Sequence, residues 1–558
     1  YEQGSNADYD CVHAVDVSRL FRFLESTQPD EFTKIGADSE LGRQKFLDRL
    51  QGEIAKRGIV DVLRKGIHAY PAKFDLFYQT PSEHNTAANE RFVQNIFSVT
   101  RQLQFSADQT RLALDMCLFI NGLPVITFEL KNSFTKQSVD DAVKQYQNDR
   151  DPRELLFQFK RCMVHFAVDD ARVKFCTRLG GKASWFLPFD QGCNDGAGNP
   201  VNPHGLKTAY LWENILQKRS LADIIENYAQ VVSETNEDTK KVSQKQIFPR
   251  FHQLAAVREL LTDVLRKGVG ERYLIQHSAG SGKSNSIAWL AHQLVGLQKG
   301  GKPVVDSVIV VTDRVNLDKQ IRDTIKQFMQ VSNTVLWAKH SGDLRKAIAS
   351  GKKIIITTVH KFPYILDEIG TAHKNSAFAI IIDEAHSSQS GSLSAKMNIV
   401  LSGEYAADAD MSMEDMVNQL IETRKMLTNA SYFAFTATPK NKTLEMFGVP
   451  YAEDGETKHR PFHVYSMKQA IQEGFIMDVL QNYTTIKSYY KLAKTIADDP
   501  LFDKKKAQKK LRHFVESNSV AISRKAEIMV EHFHAQVVGK GKIGGKARAM
   551  VVASSIDR

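Results

Sequence analysis

Between Arg272 and Pro439 the chain carries short apolar runs, RYLIQHS, VDSVIVVTD, KIIITTV, FAIIIDEAH and YFAFTATP, separated by stretches with helical spacing. Runs this continuous suit strands buried on both faces of a parallel sheet, with helical crossovers between them. The pattern before them is different. GRQKFLDRLQGEIAKRG has the charge-patterned faces of a helix, and FSVTRQLQF, LDMCLFINGLPVITFELKNS, CMVHFAVD and VKFCTRL read as strands of a mixed α/β domain. The polar, low-aromatic stretch SETNEDTKKVSQKQ, Ser233 to Gln246, has the composition of a linker and sets the first domain boundary, giving domains of 1–235 and 236–446. Past KTLEMFG a further α/β unit, 447–558, is expected to hold YSMKQAIQEGF, a long helical stretch from about Lys504 to Val537 and a final strand in ARAMVVASS.

A chain of 558 residues exceeds one core, which agrees with this division. The 74 Lys and Arg against 64 Asp and Glu leave +10, an excess that favours a polyanionic partner, nucleic acid first. The five cysteines form no CxxC pair, so neither a zinc site nor a redox motif is indicated, and a reducing, cytoplasmic home is expected. No apolar stretch approaches a membrane span, and the opening YEQGSNADYD lacks the basic and apolar regions of a signal peptide. Opening without Met, the sequence reads as one trimmed at its N-terminus.

The first candidate chemistry lies in YLIQHSAGSGKSNSIAWL, a strand, a glycine turn and a helix. Ala279, Gly280, Ser281 and Gly282 would wrap a phosphate with backbone N–H groups. Lys283 adds a point charge toward the β and γ oxygens, and Ser284 can ligate Mg²⁺. His277 stands where the strict P-loop pattern has Gly. FAIIIDEAH supplies the partner acids: Asp383 to hold Mg²⁺ and Glu384 to orient and deprotonate the attacking water. ATP and Mg²⁺ are therefore the expected cofactors.

The second lies in the hairpin LDMCLFINGLPVITFELKNS. Alternation puts Glu129 and Lys131 on one face, with Phe128 and Leu130 toward the core. Direct opposition of Asp115 and Glu129 requires a three-residue loop, Asn121 to Leu123, with Asn121 or Gly122 at positive φ. A two-residue turn would put Asp115 opposite Phe128. Two converging carboxylates can bind Mg²⁺ against a phosphodiester, with Lys131 positioning water or stabilising developing charge.

SAGSGKS, DEAH and TATP in this order resemble motifs I, II and III of superfamily 2 helicases, and FPRFHQ resembles their Q motif, which implies that Gln253 contacts adenine. The same resemblance implies that TDRVNLDKQ, with Arg314, and TTVHKF touch the DNA backbone, and that Thr436, Ala437 and Thr438 couple nucleotide state to lobe movement. Asp115 followed by ELK is similar to the PD-(D/E)xK nuclease core. A nuclease core followed by such a motor resembles the restriction (R, HsdR) subunit of type I restriction-modification enzymes, as do DPRELLFQFKRCMVHFAVDD and DEAHSSQSG. That family often adds Gln-x-x-x-Tyr after the hairpin; Gln145 fits its first position and Asp149 takes the Tyr place.

The resemblance implies a PD-(D/E)xK nuclease-like mixed sheet followed by two RecA-like parallel-sheet lobes, the second incomplete. It implies ATP-driven translocation of double-stranded DNA, Mg²⁺-dependent cleavage of unmodified foreign DNA, and partnership with methylase and specificity subunits. Because the sequence ends before the motifs V and VI of such motors, it reads as a fragment expected to bind ATP but to turn it over poorly and not translocate. Two other classes stay open: a helicase or remodeller whose first domain only binds, and an ATP-gated DNA clamp. The basic run FDKKKAQKKLRHF reads first as a solvated helix face.

Overall fold

The computed structural model describes residues 1–81, 85–109, 111–235, 240–312, 324–325, 335–337, 347, 350–358, 369, 373–383, 427–478, 519–542 and 547–551. Glu384, Arg314, most of TDRVNLDKQ and TTVHKF, and the basic run 502–514 lie outside them. The chain divides into two units, Tyr1–Gln469 and Ala470–Arg558.

The first unit contains a seven-stranded mixed sheet: β1 (Glu2–Gln3), β2 (Phe97–Gln104), β3 (Ala113–Ile120), β4 (Leu123–Leu130), β5 (Val164–Val168), β6 (Val173–Cys176) and β7 (Leu187–Pro188), in that spatial order. β1 runs parallel to β2 and β4 parallel to β5; the other neighbours are antiparallel. β4 lies at the centre and is buried on both faces as far as Glu129, which explains why LPVITFE reads as nearly unbroken apolar sequence. Helix α1 (Val139–Asn148) starts from a capping box between Ser138 and Asp141 and lays Val139, Ala142 and Tyr146 into the core.

The β3–β4 hairpin departs from the three-residue loop expected from sequence. Ile120 pairs with Leu123, so only Asn121 and Gly122 turn, at φ +51° and +78°. Positive φ at both central residues is the type I′ pattern that matches strand twist. The register then shifts between Leu118 and Phe119: Phe119 pairs with Pro124, Leu118 with Ile126, and Val125 is left as a bulge. The turn is buried rather than projecting. Asn121 accepts from Ile96 N–H at 2.6 Å and donates to the Leu76 carbonyl at 2.9 Å, while Asp16 N–H donates to the Gly122 carbonyl at 2.8 Å.

The stretch expected to be a linker is instead a hairpin, β8 (Gln230–Thr235) with β9 (Val242–Ile247), paired from Gln230 and Ile247 to Thr235 and Val242. Ladder hydrogen bonds need no apolar side chains, so polar composition did not disclose it. Glu234 and Lys245 close an ion pair at 2.5 Å, and Gln246 donates to the Cys162 and Met163 carbonyls.

Helix α2 (Phe251–Lys267) leads into β10 (Arg272–His277) and α3 (Lys283–Gly296). The remaining strands are β11 (Ser307–Thr312), β12 (Val335–Trp337), β13 (Ile354–Thr358), β14 (Phe378–Asp383), β15 (Ala430–Thr436) and β16 (His463–Tyr465). They form a wholly parallel sheet in the order β12-β13-β11-β14-β15-β10-β16. Five of its strands, β10, β11, β13, β14 and β15, are the apolar runs seen in the sequence, fully buried in β11, β13, β14 and β15, whereas β12 and β16 were not read from it. The edge strand β16 comes from beyond residue 446, because His463 to Tyr465 add in parallel to Ile275 to His277. Trp289 of α3 donates to the Tyr228 carbonyl at 3.1 Å and Arg258 of α2 pairs with Asp223 at 2.6 Å, tying this sheet's helices to the preceding residues.

In the second unit the described residues form the helix Ser519–Phe533, within the expected helical stretch, followed by one wider turn to Val538. The described residues 547–551 carry no strand where ARAMVVASS was expected to give one. Among the described residues no helix is long and apolar enough to cross a membrane.

Candidate functional site

The bulge at Val125 has a direct consequence for chemistry. With Met116 opposite Phe128, the next residues outward are Asp115 and Glu129, so the two carboxylates share one level of the sheet. Asp115 accepts from Leu130 N–H at 2.8 Å and from the Gln102 amide at 3.2 Å. Lys131 Nζ lies 3.9 Å from Asp115 and donates to Gln145 Oε1 at 2.5 Å. Asp115, Glu129, Lys131 and Gln145 are thus brought together. Asp149 instead caps the C-terminal end of α1. Tyr146, one residue after Gln145, is buried and shares a 2.8 Å hydrogen bond with Thr127 Oγ1, which also meets His165 Nδ1 at 2.7 Å. Burial drives His165 down to about 3, so this network is neutral support beneath the carboxylates.

Leu130 does not face the core as alternation suggested. It is 41% exposed, at the strand end where the packed layer stops, and with Asp115, Met116, Gln102 and Gln3 it lines a cleft of about 550 Å³.

Sequence reasoning missed Arg150. Its Nε donates to Glu129 Oε1 at 2.6 Å and its Nη2 to the Ala113 carbonyl at 2.9 Å, with Arg150 4% and Glu129 0% exposed. A lone arginine just past a helix end carries no motif by which to find it. Glu129 Oε2, also buried, has no hydrogen-bond partner. Burial pushes the Glu129 carboxyl up to about 8 against the opposing pull of Arg150, and the nearby Asp115 carboxylate adds to the rise. An orphaned carboxylate oxygen beside a second carboxylate, all hard oxygen donors, fits a divalent ion such as Mg²⁺, which keeps several waters and needs few protein ligands. Among the described residues no cluster of three or more His, Cys, Asp or Glu offers a fuller cage.

The second constellation sits at the tips of the parallel strands. β10 ends at His277, the loop turns through Gly280 and Gly282 at φ +71° and +78°, and Lys283 opens α3. Ala279, Gly280 and Gly282 are exposed and Lys283 and Ser284 half-buried, which leaves the loop open to a phosphate. Asp383 ends β14 and is buried, one strand over from Thr436 at the end of β15. Ala437 and Thr438 follow at the strand exit and are partly exposed.

Three residues at the start of α2 and just before it hold the phosphate loop from beneath. Arg250 Nη1 donates to the Gly280 carbonyl at 3.0 Å, His252 Nε2 lies 3.0 Å from the Ser281 carbonyl, and Gln253 Nε2 donates to the Ser281 and Gly282 carbonyls at 3.1 and 3.0 Å. Gln253 Oε1 accepts from Arg250 N–H at 2.9 Å. The Gln253 carboxamide is therefore committed to the loop in this structure rather than turned toward a base. His277 contacts His463 at 2.9 Å, and His252 stacks on Tyr465 with centroids 3.8 Å apart. Burial holds His252 and His277 well below the ordinary histidine range and His463 at about 4. Histidine in place of the usual loop-entry glycine thus joins a packed group of neutral histidines beside Arg250.

Residues 252–512 match the SWI2/SNF2 ATPase family, and residues 59–184 match the family of type I restriction enzyme R protein N termini. The chain is 24% identical over 416 residues to the type I restriction enzyme HindI endonuclease subunit of Haemophilus influenzae, covering 70% of this chain and 35% of that protein. It is 23% identical over 473 residues to the putative MjaVIIIP endonuclease subunit of Methanocaldococcus jannaschii, covering 78% and 40%. The chain thus spans well under half the length of these curated relatives. Among solved structures, the type ISP restriction-modification enzyme LlaBIII bound to DNA matches at 17% identity and TM-score 0.25, covering 43% of this chain and 15% of that one.

Proposed function

We propose that this HsdR-like chain carries the nuclease core and part of the motor of a type I restriction enzyme, one that translocates double-stranded DNA with ATP and cuts it with Mg²⁺. The observation that supports this most is the convergence of Asp115, Glu129 and Lys131 at the open end of one hairpin, in the same unit as a P-loop whose strand lies two places from the strand that ends in Asp383. In this reading Asp115 and Glu129 hold the divalent ion, which supplies Lewis acidity to the scissile phosphate. Lys131, kept in place by Gln145, stabilises charge developing on that phosphate. The residues Ala279 to Ser284 hold the nucleotide triphosphate, Ser284 and Asp383 hold its magnesium, and Glu384 orients the attacking water.

Thr436 to Thr438, leaving the strand beside Asp383, couple nucleotide state to lobe movement, and Arg314 contacts the DNA backbone. The domains follow as a nuclease part, 1–235, a first RecA-like lobe, 236–446, and part of a second, 447–558. In the complete protein the remaining lobe and the methylase and specificity subunits supply the anchor against which DNA is pulled, in the cytoplasm.

The test is Lys283→Ala in the assembled enzyme. Loss of both ATP turnover and cleavage is expected, because cutting depends on translocation. Cleavage that continues without ATP turnover would contradict the coupling.

A further inference from the structure

We infer that Arg150 is a positioning residue of the cleavage site, fixing Glu129 through Oε1 so that Oε2 is the oxygen presented to a divalent cation. This rests on the nuclease reading above and names a residue beyond it. The two halves of the Glu129 carboxylate have opposite circumstances: Oε1 is held at 2.6 Å by the Arg150 Nε, whereas Oε2 is equally buried and has no partner. A buried carboxylate oxygen without a donor costs free energy that a native site recovers when a ligand arrives.

Arg150 is itself fixed. Its Nη2 donates to the Ala113 carbonyl at the start of β3, and its guanidinium lies over the Phe105 ring, 5.4 Å from the centroid. A guanidinium pinned at three places cannot follow Glu129 as a lysine on a flexible stem would. Asp115 is oriented in the same manner by Leu130 N–H and Gln102, each using one oxygen. Both carboxylates are thereby pre-set before any cation binds, and partners of this outer kind commonly decide metal affinity by about 10- to 100-fold.

The experiment measures Mn²⁺ binding to the full chain without nucleotide, by loss of the free-ion electron paramagnetic resonance signal. Arg150→Gln is expected to weaken binding about tenfold or more, and Arg150→Lys to fall between it and the parent. In the assembled enzyme the Mg²⁺ concentration for half-maximal cleavage should rise by the same factor while ATP hydrolysis stays level, a shift that mere loosening of the fold would not confine to one site. Should Asp115→Asn remove the Mn²⁺ site while both Arg150 variants bind as the parent does, or more tightly, the inference is overturned and the nuclease reading stands. If Asp115→Asn also leaves Mn²⁺ binding unchanged, the nuclease reading falls and the role of Arg150 falls with it.

Discussion

Met116 stands opposite Phe128, one residue further along the partner strand than the Asn121-Gly122 turn alone would set. The turn and the bulge at Val125 together fix which residues share the outer edge of the hairpin. Gly122 is the tightest point of this device. At φ +78° a Cβ would lie 2.4 Å from the Asp16 carbonyl and 2.6 Å from Leu20 N. Gly122→Ala is expected to cost roughly 3 kcal/mol or more, since backbone must move as well as adopt a strained φ. Gly268→Ala, at φ +85° with nothing within 4 Å, should cost only about 1 kcal/mol. Thermal midpoints of the two variants check the difference; equal shifts would contradict the packing argument.

Gln253 gives a second prediction. If it braces the phosphate loop, Gln253→Ala removes the donor to the Ser281 and Gly282 carbonyls and should weaken binding of ATP and of GTP alike, about tenfold. A residue that reads only adenine would lose the preference for ATP and leave GTP affinity unchanged. Fluorescent nucleotide titrations separate the two outcomes.

Glu226 predicts a pH dependence. It accepts from Thr80 N–H and Oγ1 at 2.6 and 2.9 Å, and burial pushes its carboxyl up to about 7. A raised acid in the folded state binds its proton more tightly than the unfolded chain does. Its contribution is most favourable below the ordinary glutamate range and is lost as pH climbs from about 4.5 to about 7, on the order of 3 kcal/mol in all. Glu226→Gln should therefore raise the thermal midpoint at pH 8 and change it little at pH 5. The opposite ordering would show that Glu226 is held as a paired carboxylate.

These predictions draw unequally on what the sequence disclosed. The parallel strands were legible because burial on both faces leaves unbroken β-branched runs, and the phosphate loop because glycine and lysine spacing follows from its geometry. Asp115, Glu129 and Lys131 were legible as a group. The bulge that aligns the carboxylates was not, because LPVITF carries no residue that marks Val125 as the extra one. The β8–β9 hairpin was read as a linker because its pairing is backbone and polar. Arg150 was invisible since its partner lies 21 positions away in sequence and only the fold joins them.

If the proposed motor and cleavage sites address phosphates rather than base edges, DNA affinity should fall steeply with salt. Each phosphate contact is expected to contribute about −0.9 to the slope of log affinity against log salt on duplex DNA. A shallow slope in filter-binding or anisotropy titrations would contradict backbone-dominated binding.

The most direct measurement is cleavage of unmodified plasmid DNA by the assembled enzyme carrying Glu129→Ala or Lys131→Ala, with ATP hydrolysis followed in the same reactions. The nuclease reading predicts that cleavage falls at least about a hundredfold while DNA-stimulated ATP hydrolysis is unchanged. Undiminished cleavage by either variant would contradict it.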